Sequence, residues 1–371
     1  MRARMFRVLI VLICLSVMMT DMVRARIADH VTVTHINPLY AGVVAEDDLI
    51  QPAVTAASDG QEYFSSTDDA SQYLRQQLKA RTENVFVYLT TRGDYQNLIT
   101  DLFEMALEHT GDGSEGDYLR WQYAGWVAGM SVVPSGDTSY VCISYVVTYL
   151  TTAEQEEEMD KAVSALLEEL CPPNTSDYKK VTAIYHWVCS HVSYDDSGED
   201  RKYTAYSALI EGKAVCQGYA LLVYRLLNGA GVDCRIVAGE NHGWNIVKLR
   251  SLYYNLDATW DSQATGEYQW FLKGQDGFSA GHERDDAFDS EQFHSDHPMS
   301  DADYAPGLSG DVNGDGLVDS DDATLILKFD VGLIGDNDLD LSVGDVNGDG
   351  WIDSDDATLI LKYDVGLIEG F

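Results

Sequence analysis

The chain has 371 residues, which suggests two or three domains, and 45% of them are aliphatic or aromatic, as is typical of a globular protein. Acidic residues outnumber basic ones by 61 to 24, which gives a formal net charge of −37. Nucleic-acid binding needs clustered Lys and Arg to neutralise phosphates, so this charge argues against a nucleic-acid partner but not against cations. The acidity is concentrated in residues 301–371, which hold 18 Asp and Glu and only 2 Lys.

The first residues have the layout of a secretory signal peptide. Three arginines precede an apolar core from Val8 to Met19, and polar residues follow. The core is shorter than a membrane-spanning helix requires, so no stable membrane anchor is expected. We therefore predict a signal peptide at residues 1–25, cleaved after Ala25, and a secreted, extracellular protein.

The exported chain would keep five cysteines, an odd number that leaves at least one free thiol. So few cysteines in so long a chain do not form a disulfide scaffold, and their redox state is left open. They are Cys142, Cys171, Cys189, Cys216 and Cys234.

Residues 26–150 are predicted to form an N-terminal α+β accessory region. Alternating apolar and polar residues in NVFVYLTT and SYVCISYVVTYL are typical of strands, whereas DYQNLITDLFEMALEHT has helical periodicity. Residues 151–170 then predict an amphipathic helix that ends before two prolines. The segment SDYKKVTAIYHWVCSHVSYD predicts a second helix, with Ser176 or Asp177 as its N-cap.

A third helix is predicted to begin at Cys216 and to end at Asn228-Gly229. Apolar residues cover almost all of its faces, so we expect a central, buried helix. The following segment, CRIVAGENHGWNIVKLRSLYYNLDATW, is interpreted as strands, and residues 262–304 as an acidic, irregular stretch that wraps this domain.

Cys216 is either a packing residue or a nucleophile. Free cysteine is among the most buried residue types, which favours packing. A helix N-terminus stabilises a thiolate, however, and nucleophilic catalysis needs in addition a base and a group that orients the base. His242 is the candidate base, although a lone histidine on a strand is more often structural.

A two-residue hairpin turn at 249–250 would place His242 opposite Asp257. In this register Lys248 pairs with Ser251. Directly paired residues have Cβ atoms about 4.5–5.5 Å apart, which lets a carboxylate hold an imidazole nitrogen. Strand pairing therefore predicts a His–Asp couple, to which the buried helix adds its cysteine.

The motifs GKAVCQGYA, HGWNIVKL and YYNLDATWD resemble, in order and spacing, the Cys, His and Asp motifs of the transglutaminase-like superfamily, a branch of the papain-like folds. The resemblance covers about residues 120–304. It implies that Cys216 is the nucleophile, His242 the general base and acid, and Asp257 the orienting carboxylate. Gly243 stands where the family often has Ala. The implied reaction is acyl transfer from a protein or peptide amide through a thioester.

The acyl acceptor stays open. Water would make the protein a cysteine peptidase or amidase, which we favour, and a lysine amine would make it a crosslinking transglutaminase. A non-catalytic component that holds peptide or cell wall is a further alternative, and a glycoside hydrolase is the weakest, since no paired carboxylates stand out. The backbone N–H of Cys216 is one expected oxyanion donor, and Trp187, Tyr194 and Gln217 are candidates for the second.

A 25-residue segment occurs twice, at 310–334 and 344–368, with 22 identical positions. In each copy, oxygen-bearing residues have the spacing of a twelve-residue calcium loop. Clustered carboxylates repel each other unless a cation is bound, so two Ca²⁺ ions are predicted. The ligands, with Leu317 and Trp351 contributing backbone carbonyls, are Asp311, Asn313, Asp315, Leu317, Asp319 and Asp322, then Asp345, Asn347, Asp349, Trp351, Asp353 and Asp356.

Each loop ends on Asp where a standard EF-hand has Glu, and no helical pattern precedes it. The tandem loop–helix units resemble a type I dockerin, the module that attaches bacterial enzymes to cohesin domains of a cellulosome scaffold. The resemblance implies a cohesin partner, contacted by Ser320, Asp321 and Lys328 or by their counterparts Ser354, Asp355 and Lys362. Because the two sets are nearly identical, it also implies two binding orientations.

Together these observations predict an α+β fold. Its catalytic domain is papain-like and transglutaminase-like, with a central buried helix packed on an antiparallel sheet. A small all-α calcium-binding dockerin with duplicated loop–helix repeats follows. The predicted boundaries are 1–25 for the signal peptide, 26–150 for the accessory region, 151–304 for the catalytic domain, 305–309 for the linker and 310–371 for the dockerin.

Overall fold

The computed structural model describes residues 29–37, 62–93, 95–173, 175–196, 200–239, 242–278, 281–305, 307–314, 317–336 and 338–371. The predicted signal peptide lies outside these residues. Within them, no helix combines the length and the apolarity needed to cross a membrane. The chain divides into two compact units, one within residues 1–109 and 119–153 and the other within 110–118 and 154–371. The predicted domain boundaries stay predictions.

The first unit is a four-stranded antiparallel sheet with two helices. Its elements are β1 (Asp29–Ile36), α1 (Thr67–Lys79), β2 (Asn84–Thr91), α2 (Leu98–Ala106), β3 (Tyr123–Ser135) and β4 (Thr138–Tyr149). The strand order is β1-β3-β4-β2. The apolar faces of the two helices bury Leu74, Leu102 and Phe103 against sheet residues such as Trp126 and Tyr145, which forms a single core.

The second unit begins with a helix-rich part. A short helix, α3 (Asp117–Arg120), contains the boundary between the units. The next elements are α4 (Ala153–Leu170), α5 (Asp177–His191), β5 (Ser193–Tyr194), β6 (Lys213–Ala214) and α6 (Cys216–Gly229), with short 3₁₀ and π turns at 200–203 and 207–211. Ser176 is the N-cap residue of α5.

A three-stranded antiparallel sheet follows α6. Its strands are β7 (Cys234–Gly239), β8 (His242–Leu249) and β9 (Leu252–Leu256), in the order β7-β8-β9. Every residue of α6 from Gln217 to Asn228 is buried, and the helix packs on β7 and β8. The predicted central helix on an antiparallel sheet is thereby confirmed.

The end of the strand segment differs from the prediction. Residues 258–263 form a helix, α7 (Ala258–Gln263), instead of continuing β9. Asp257 causes this change, because its side chain accepts hydrogen bonds from the backbone N–H groups of Thr259 and Trp260 and so caps the helix. Beyond α7, the segment predicted to be irregular contains a 3₁₀ turn at 286–288 and a helix, α8 (Glu291–Asp296).

The C-terminal part consists of two loop–helix repeats. Helices α9 (Ser320–Asp330) and α10 (Ser354–Asp364) each begin with a capping box, made by Asp319 with Asp322 and by Asp353 with Asp356. The helices pack on each other through a small core that contains the paired residues Ile326 and Ile360. The sequence repeat is therefore also a structural repeat.

Candidate active site and calcium loops

Cys216 is the first residue of α6. The N-cap residue Val215 is extended, with φ −94° and ψ 179°, so the chain turns sharply into the helix at the cysteine. The first N–H groups of a helix have no intrahelical acceptor, and the helix dipole is positive at this end. Cys216 is partly exposed, whereas the helix is buried from Gln217 to Asn228. The partly exposed thiol therefore lies at the positive end of the helix dipole.

His242 and Asp257 lie within hydrogen-bonding distance of each other. Nε2 of His242 donates to Oδ2 of Asp257 over 2.8 Å. His242 is the first residue of β8, and Asp257 follows the last residue of β9. Adjacent strands therefore bring the two side chains together at one end of the hairpin.

The hairpin register that predicted this contact is wrong. Leu249 pairs with Leu252, so the turn is at 250–251 and Lys248 faces Tyr253 instead of Ser251. The β8–β9 pairing ends before it reaches His242, which instead pairs with Gly239 on β7. The His–Asp contact arises because β9 stops and Asp257 caps α7, rather than from direct strand pairing.

The electrostatics favour a charged imidazole. Burial lowers the pKa of His242, but hydrogen bonds with Asp257 and Cys216 outweigh it and raise this pKa to about 9. Burial also raises the pKa of Asp257, yet the hydrogen bonds from its histidine partners leave it below its usual value. The couple is therefore suited to hold an imidazolium beside a thiolate.

Three other thiols lack such surroundings. Burial raises the pKa of Cys171, raises that of Cys189 to about 12, and raises that of Cys234 well above its usual value. Cys142 is buried in β4. Nucleophilic reactivity at neutral pH requires a thiolate, so Cys171, Cys189 and Cys234 are not prepared for it.

The three candidates for a second oxyanion donor differ in position. Tyr194 pairs with Ala214 through the parallel β5–β6 contact, two residues before the cysteine. Burial raises the pKa of Tyr194, and the charge of the Cys216 thiolate raises it further, because the groups are close. Gln217 is buried in α6, whereas Trp187 stacks on His191 with ring centroids 4.4 Å apart.

One site residue has no signal in the sequence motifs. His282 donates from Nε2 to Oδ2 of Asp257 over 2.9 Å, so the carboxylate has two histidine partners. It lies 25 residues beyond Asp257 in the acidic segment. A lone histidine in a stretch without periodicity offers nothing that sequence reasoning can use.

The two predicted calcium loops share two internal hydrogen bonds. Oδ1 of Asp322 accepts from the backbone N–H of Asn313 and Oδ2 accepts from that of Asp319, both over 3.0 Å. In the second loop Asp356 accepts in the same way from Asn347 and Asp353. Asp315 and Gly316 of the first loop lie outside the described residues.

The buried carboxylates fit a bound cation. Asp322 and Asp356 are 0% exposed, and burial is the main cause that raises the pKa of each. Asp311 and Asp319 add negative charge near Asp322, as Asp345 does near Asp356. Oxygen donors from several carboxylates, around a turn that Gly350 makes at φ +90°, are what a hard cation prefers. These residues would hold Ca²⁺, with Leu317 and Trp351 supplying backbone carbonyls.

Comparison with protein families identifies both parts of the chain. Residues 164–275 match the transglutaminase-like superfamily, and residues 309–363 match the type I dockerin domain. The chain carries a transglutaminase-like domain and a type I dockerin. Both predicted resemblances, and with them the predicted fold class, are confirmed.

Two curated relatives match about a third of the chain. Kyphoscoliosis peptidase of Homo sapiens is 30% identical over 134 residues, and the same protein of Mus musculus is 28% identical over 133. These matches cover 31% and 30% of this chain and 20% of each relative, so the chain spans about a fifth of their length. A solved structure described as "Crystal structure of a TGase" is 15% identical, with 57% of this chain and 63% of that chain covered and a TM-score of 0.25.

The predicted cohesin contacts lie on the surface of the dockerin. All six side chains are exposed, and each residue has its counterpart at the same position of the other helix. They are Ser320, Asp321, Lys328, Ser354, Asp355 and Lys362. Exposed apolar residues continue this duplicated surface at the helix ends, namely Leu327, Val331 and Leu333, with Leu361, Val365 and Leu367 as counterparts.

Proposed function

We propose that the protein is a secreted, cellulosome-attached thiol enzyme that performs acyl transfer on protein or peptide amides. The observation that carries this proposal is the joint placement of three side chains. Cys216 stands at the N-terminus of a buried helix and interacts with His242, whose Nε2 donates to the enclosed carboxylate of Asp257. A nucleophile, a base and an orienting group in contact are what covalent acyl transfer requires.

The proposed reaction proceeds in two halves. Sγ of Cys216 attacks the amide carbonyl, and the oxyanion is held by the backbone N–H of the cysteine and by the hydroxyl of Tyr194. The C–N bond then breaks, and His242 gives a proton to the leaving amine while a thioester remains. Water next attacks the thioester, His242 takes a proton from it, and the thiolate is released with the new carboxylic acid.

Hydrolysis is our preferred outcome. The curated relatives that match this chain carry the name peptidase, which supports water as the acceptor. A lysine amine in place of water would give a crosslinking transglutaminase with the same first half-reaction. The acceptor therefore does not change the roles proposed for the three residues.

The dockerin supports the attachment. Type I dockerins bind calcium and cohesin domains of scaffold proteins, so we propose calcium-dependent binding to a type I cohesin. We further propose two ions, because both loops enclose a buried aspartate that accepts from backbone N–H groups at two equivalent positions. The ions would order the loops in front of α9 and α10 and so present the exposed helix residues.

Thiol labelling of the full chain tests the proposal. We expect iodoacetamide to alkylate Cys216 faster than the other cysteines, and the Cys216→Ala variant to lose this fast phase. Peptide cleavage and incorporation of a labelled amine, measured in parallel, would identify the acceptor. If the fast phase is missing in the wild type and neither assay detects turnover, the enzyme proposal is wrong, and a peptide-holding role replaces it.

A further inference from the structure

The carboxylate of Asp257 is fixed from both sides. Oδ2 accepts from Nε2 of His242 over 2.8 Å and from Nε2 of His282 over 2.9 Å. Oδ1 accepts from the backbone N–H groups of Thr259 and Trp260 over 2.9 Å and 3.1 Å. Each oxygen thus has two donors, and Asp257 is only 1% exposed. His282 supplies one of the two donors that come from side chains.

His282 itself is enclosed by aromatic rings. Its side chain is 0% exposed, and its ring centroid lies 4.0 Å from that of Phe278 and 4.3 Å from that of Trp260. The rings of Trp244 and Trp270 lie 5.0 Å and 4.9 Å away. A substrate cannot reach an enclosed ring, so His282 acts on the reaction only through Asp257.

The hydrogen bonds also assign the tautomer of His282. Nε2 faces a carboxylate oxygen and therefore carries the proton, while Nδ1 has no hydrogen-bond partner among the described residues. An N–H left without an acceptor in an aromatic enclosure would be costly, whereas a bare ring nitrogen is tolerated more easily. The arrangement therefore uses His282 as a donor to Asp257.

The segment that carries His282 is fastened to the sheet. The backbone N–H of Asp285 donates to the carbonyl of Ala238 on β7 over 2.9 Å. A Cβ atom at Gly239 would lie 1.8 Å from the carbonyl oxygen of Glu283, so only glycine allows this approach. Gly281 has φ +82° and would clash with Trp260 if it carried a Cβ atom, which would lie 2.7 Å from the indole. Close backbone packing thus fixes the ring of His282 against Asp257.

We propose that His282 is a second positioning residue of the thiol site, which holds Asp257 in the orientation that His242 needs and divides the hydrogen-bonding capacity of Oδ2 between two imidazoles. This inference rests on the proposed function, since a positioning role requires a reacting thiol. The sharing has an electrostatic consequence. A carboxylate that already accepts from His282 is a weaker partner for His242, so the imidazolium of His242 loses its proton at lower pH than it would beside an unshared carboxylate.

A metal ion is the competing interpretation of this cluster. Three possible ligand atoms, one each from His242, Asp257 and His282, lie within 4.8 Å of one another. Both Nε2 atoms, however, already donate to Oδ2 at ordinary hydrogen-bond distances. The cluster is therefore internally satisfied, and the metal is an outcome for the experiment to detect.

The titration of His242 depends on several neighbouring groups. Its ring faces Asp257, the thiol of Cys216 on α6 and the ring of His282, whose centroid is 5.4 Å away. Asp257 in turn faces groups on α5 and on α7. Those further groups are Tyr185, Cys189 and Asp261.

Two substitutions at His282 separate positioning from packing. His282→Phe fills the aromatic enclosure but removes the donor, whereas His282→Gln keeps an N–H near the position of Nε2. His297→Phe is the matched control, since His297 is also buried and stacks on Phe293 with centroids 4.4 Å apart, away from Asp257. The measurements on the full chain are peptide turnover, the pH dependence of iodoacetamide alkylation, and imidazole NMR titration of His242, assigned with His242→Gln.

We expect His282→Phe to lower kcat by about tenfold to a hundredfold with little change in KM, as a misplaced catalytic group does. The NMR titration of His242 and the alkaline limb of alkylation should both move upward, by about half a pH unit. His282→Gln should restore most of kcat and return the titration toward the wild-type position. His297→Phe should leave the titration of His242 unchanged.

The outcomes distinguish the two proposals. If the titration of His242 is the same in His282→Phe as in the wild type, the positioning role is overturned, whether or not the thiol reacts. If kcat falls equally in His282→Phe and His282→Gln while the titration of His242 is unchanged, the positioning role is also overturned, and His282 has a packing role. Stoichiometric zinc in the purified protein, with thiol labelling that rises on chelation, would replace it by a metal site. A wild type that shows neither selective alkylation of Cys216 nor turnover refutes the proposed function instead, while the NMR titration still decides on His282.

Discussion

The thiol site and the calcium loops both bury aspartates, but they satisfy them in different ways. Asp257 is 1% exposed and receives four hydrogen bonds, two of them from imidazoles that can carry positive charge. Asp322 and Asp356 are 0% exposed, accept hydrogen bonds from backbone N–H groups and lie near further aspartates. The partners of Asp257 all come from the chain, whereas the aspartates of the calcium loops need a bound cation.

This difference suggests what each part of the protein requires. A buried carboxylate beside a cationic partner is stable without a ligand, so the thiol site is ready before substrate arrives. Clustered carboxylates without a cation repel each other, so the dockerin loops depend on the concentration of the ion. A mutation that removes a hydrogen-bond partner should therefore disable the thiol site. A chelator that removes the cation should disable the dockerin loops.

The largest effect on the thiol site is expected from Asp257→Asn. Both oxygens of Asp257 accept hydrogen bonds, and in the variant the NH₂ group of the asparagine replaces one of them. His242 then loses the acceptor that fixes its tautomer. We expect kcat to fall by about 10⁴-fold, as for the loss of an orienting carboxylate in a serine protease triad. The measurement is peptide turnover by the purified full chain, with circular dichroism as the test of folding.

Asp261→Asn is the control for this change. Asp261 is also buried and lies on the helix that Asp257 caps, but it accepts from Tyr185 and from backbone N–H groups instead of from His242. We expect this variant to lose stability and to keep turnover. If both variants lose turnover to the same extent, the effect of Asp257 is general damage to the site.

Calcium removal tests the other half of the comparison. Each ion that binds only the folded state stabilises it by about 2.7 kcal/mol when its concentration is a hundred times Kd. We therefore expect a chelator to lower the unfolding temperature of the dockerin and calorimetry to count two ions per chain. Asp322→Ala should leave one ion, while Asp330→Ala, at the exposed end of α9, should keep two. A chain that binds no calcium, or unfolds identically with chelator, contradicts the prediction.

The pH dependence sharpens the contrast on the side of the thiol site. The pKa of His242 is raised from 6.5 to about 9, so the folded state favours the imidazolium. Its contribution to the free energy of unfolding is fully present below pH 6.5 and is lost as the pH rises through about 9. The rate of thiol alkylation should have its alkaline limb near the same pH, because the imidazolium that pairs with the thiolate is lost there.

Denaturant unfolding between pH 6 and pH 10, together with the alkylation profile, measures both effects. In Asp257→Asn the main partner that raises the pKa is gone, so the alkaline limb should move down toward the ordinary range of histidine. An alkaline limb that stays in place in this variant would mean that another group sets the pKa of His242.

Short-range patterns predicted much of this molecule. The start of the buried helix at Cys216, its end at Gly229 and the strand Asn84–Thr91 follow from periodicity and from turn residues. The duplicated loops follow from the spacing of their oxygen ligands. In these elements neighbouring residues decide the structure, so a local pattern contains the necessary information.

The rest depends on contacts that local patterns do not contain. The hairpin was predicted one position out: Leu249 pairs with Leu252, and Arg250 takes the first turn position with φ +56°, a left-handed conformation that is rare for a residue other than glycine. The strand ends at Leu256 because Asp257 caps a helix, and His282 reaches the site only through the packing of a loop on β7. Each of these features is fixed by tertiary contacts between residues distant in sequence.

The smallest effect is expected on the duplicated surface of the dockerin. Ser320 and Asp321 on α9 have exposed counterparts in Ser354 and Asp355 on α10. If either copy can face a cohesin, replacing one Ser-Asp pair by Ala-Ala removes one of two equivalent orientations. The affinity for a type I cohesin that binds the wild type should then fall by about twofold, or about 0.4 kcal/mol.

Replacing both pairs should abolish binding, and this contrast is the decisive part of the experiment. Titration calorimetry with excess calcium measures both variants, and unchanged ion stoichiometry is the control that the loops remain intact. The thiol site has one nucleophile, so the loss of that residue abolishes its reaction. The dockerin would tolerate the loss of one Ser-Asp pair, because its binding surface is present twice. Should one altered pair alone eliminate binding, a single orientation is used, and the duplication serves the calcium-bound fold instead of the interface.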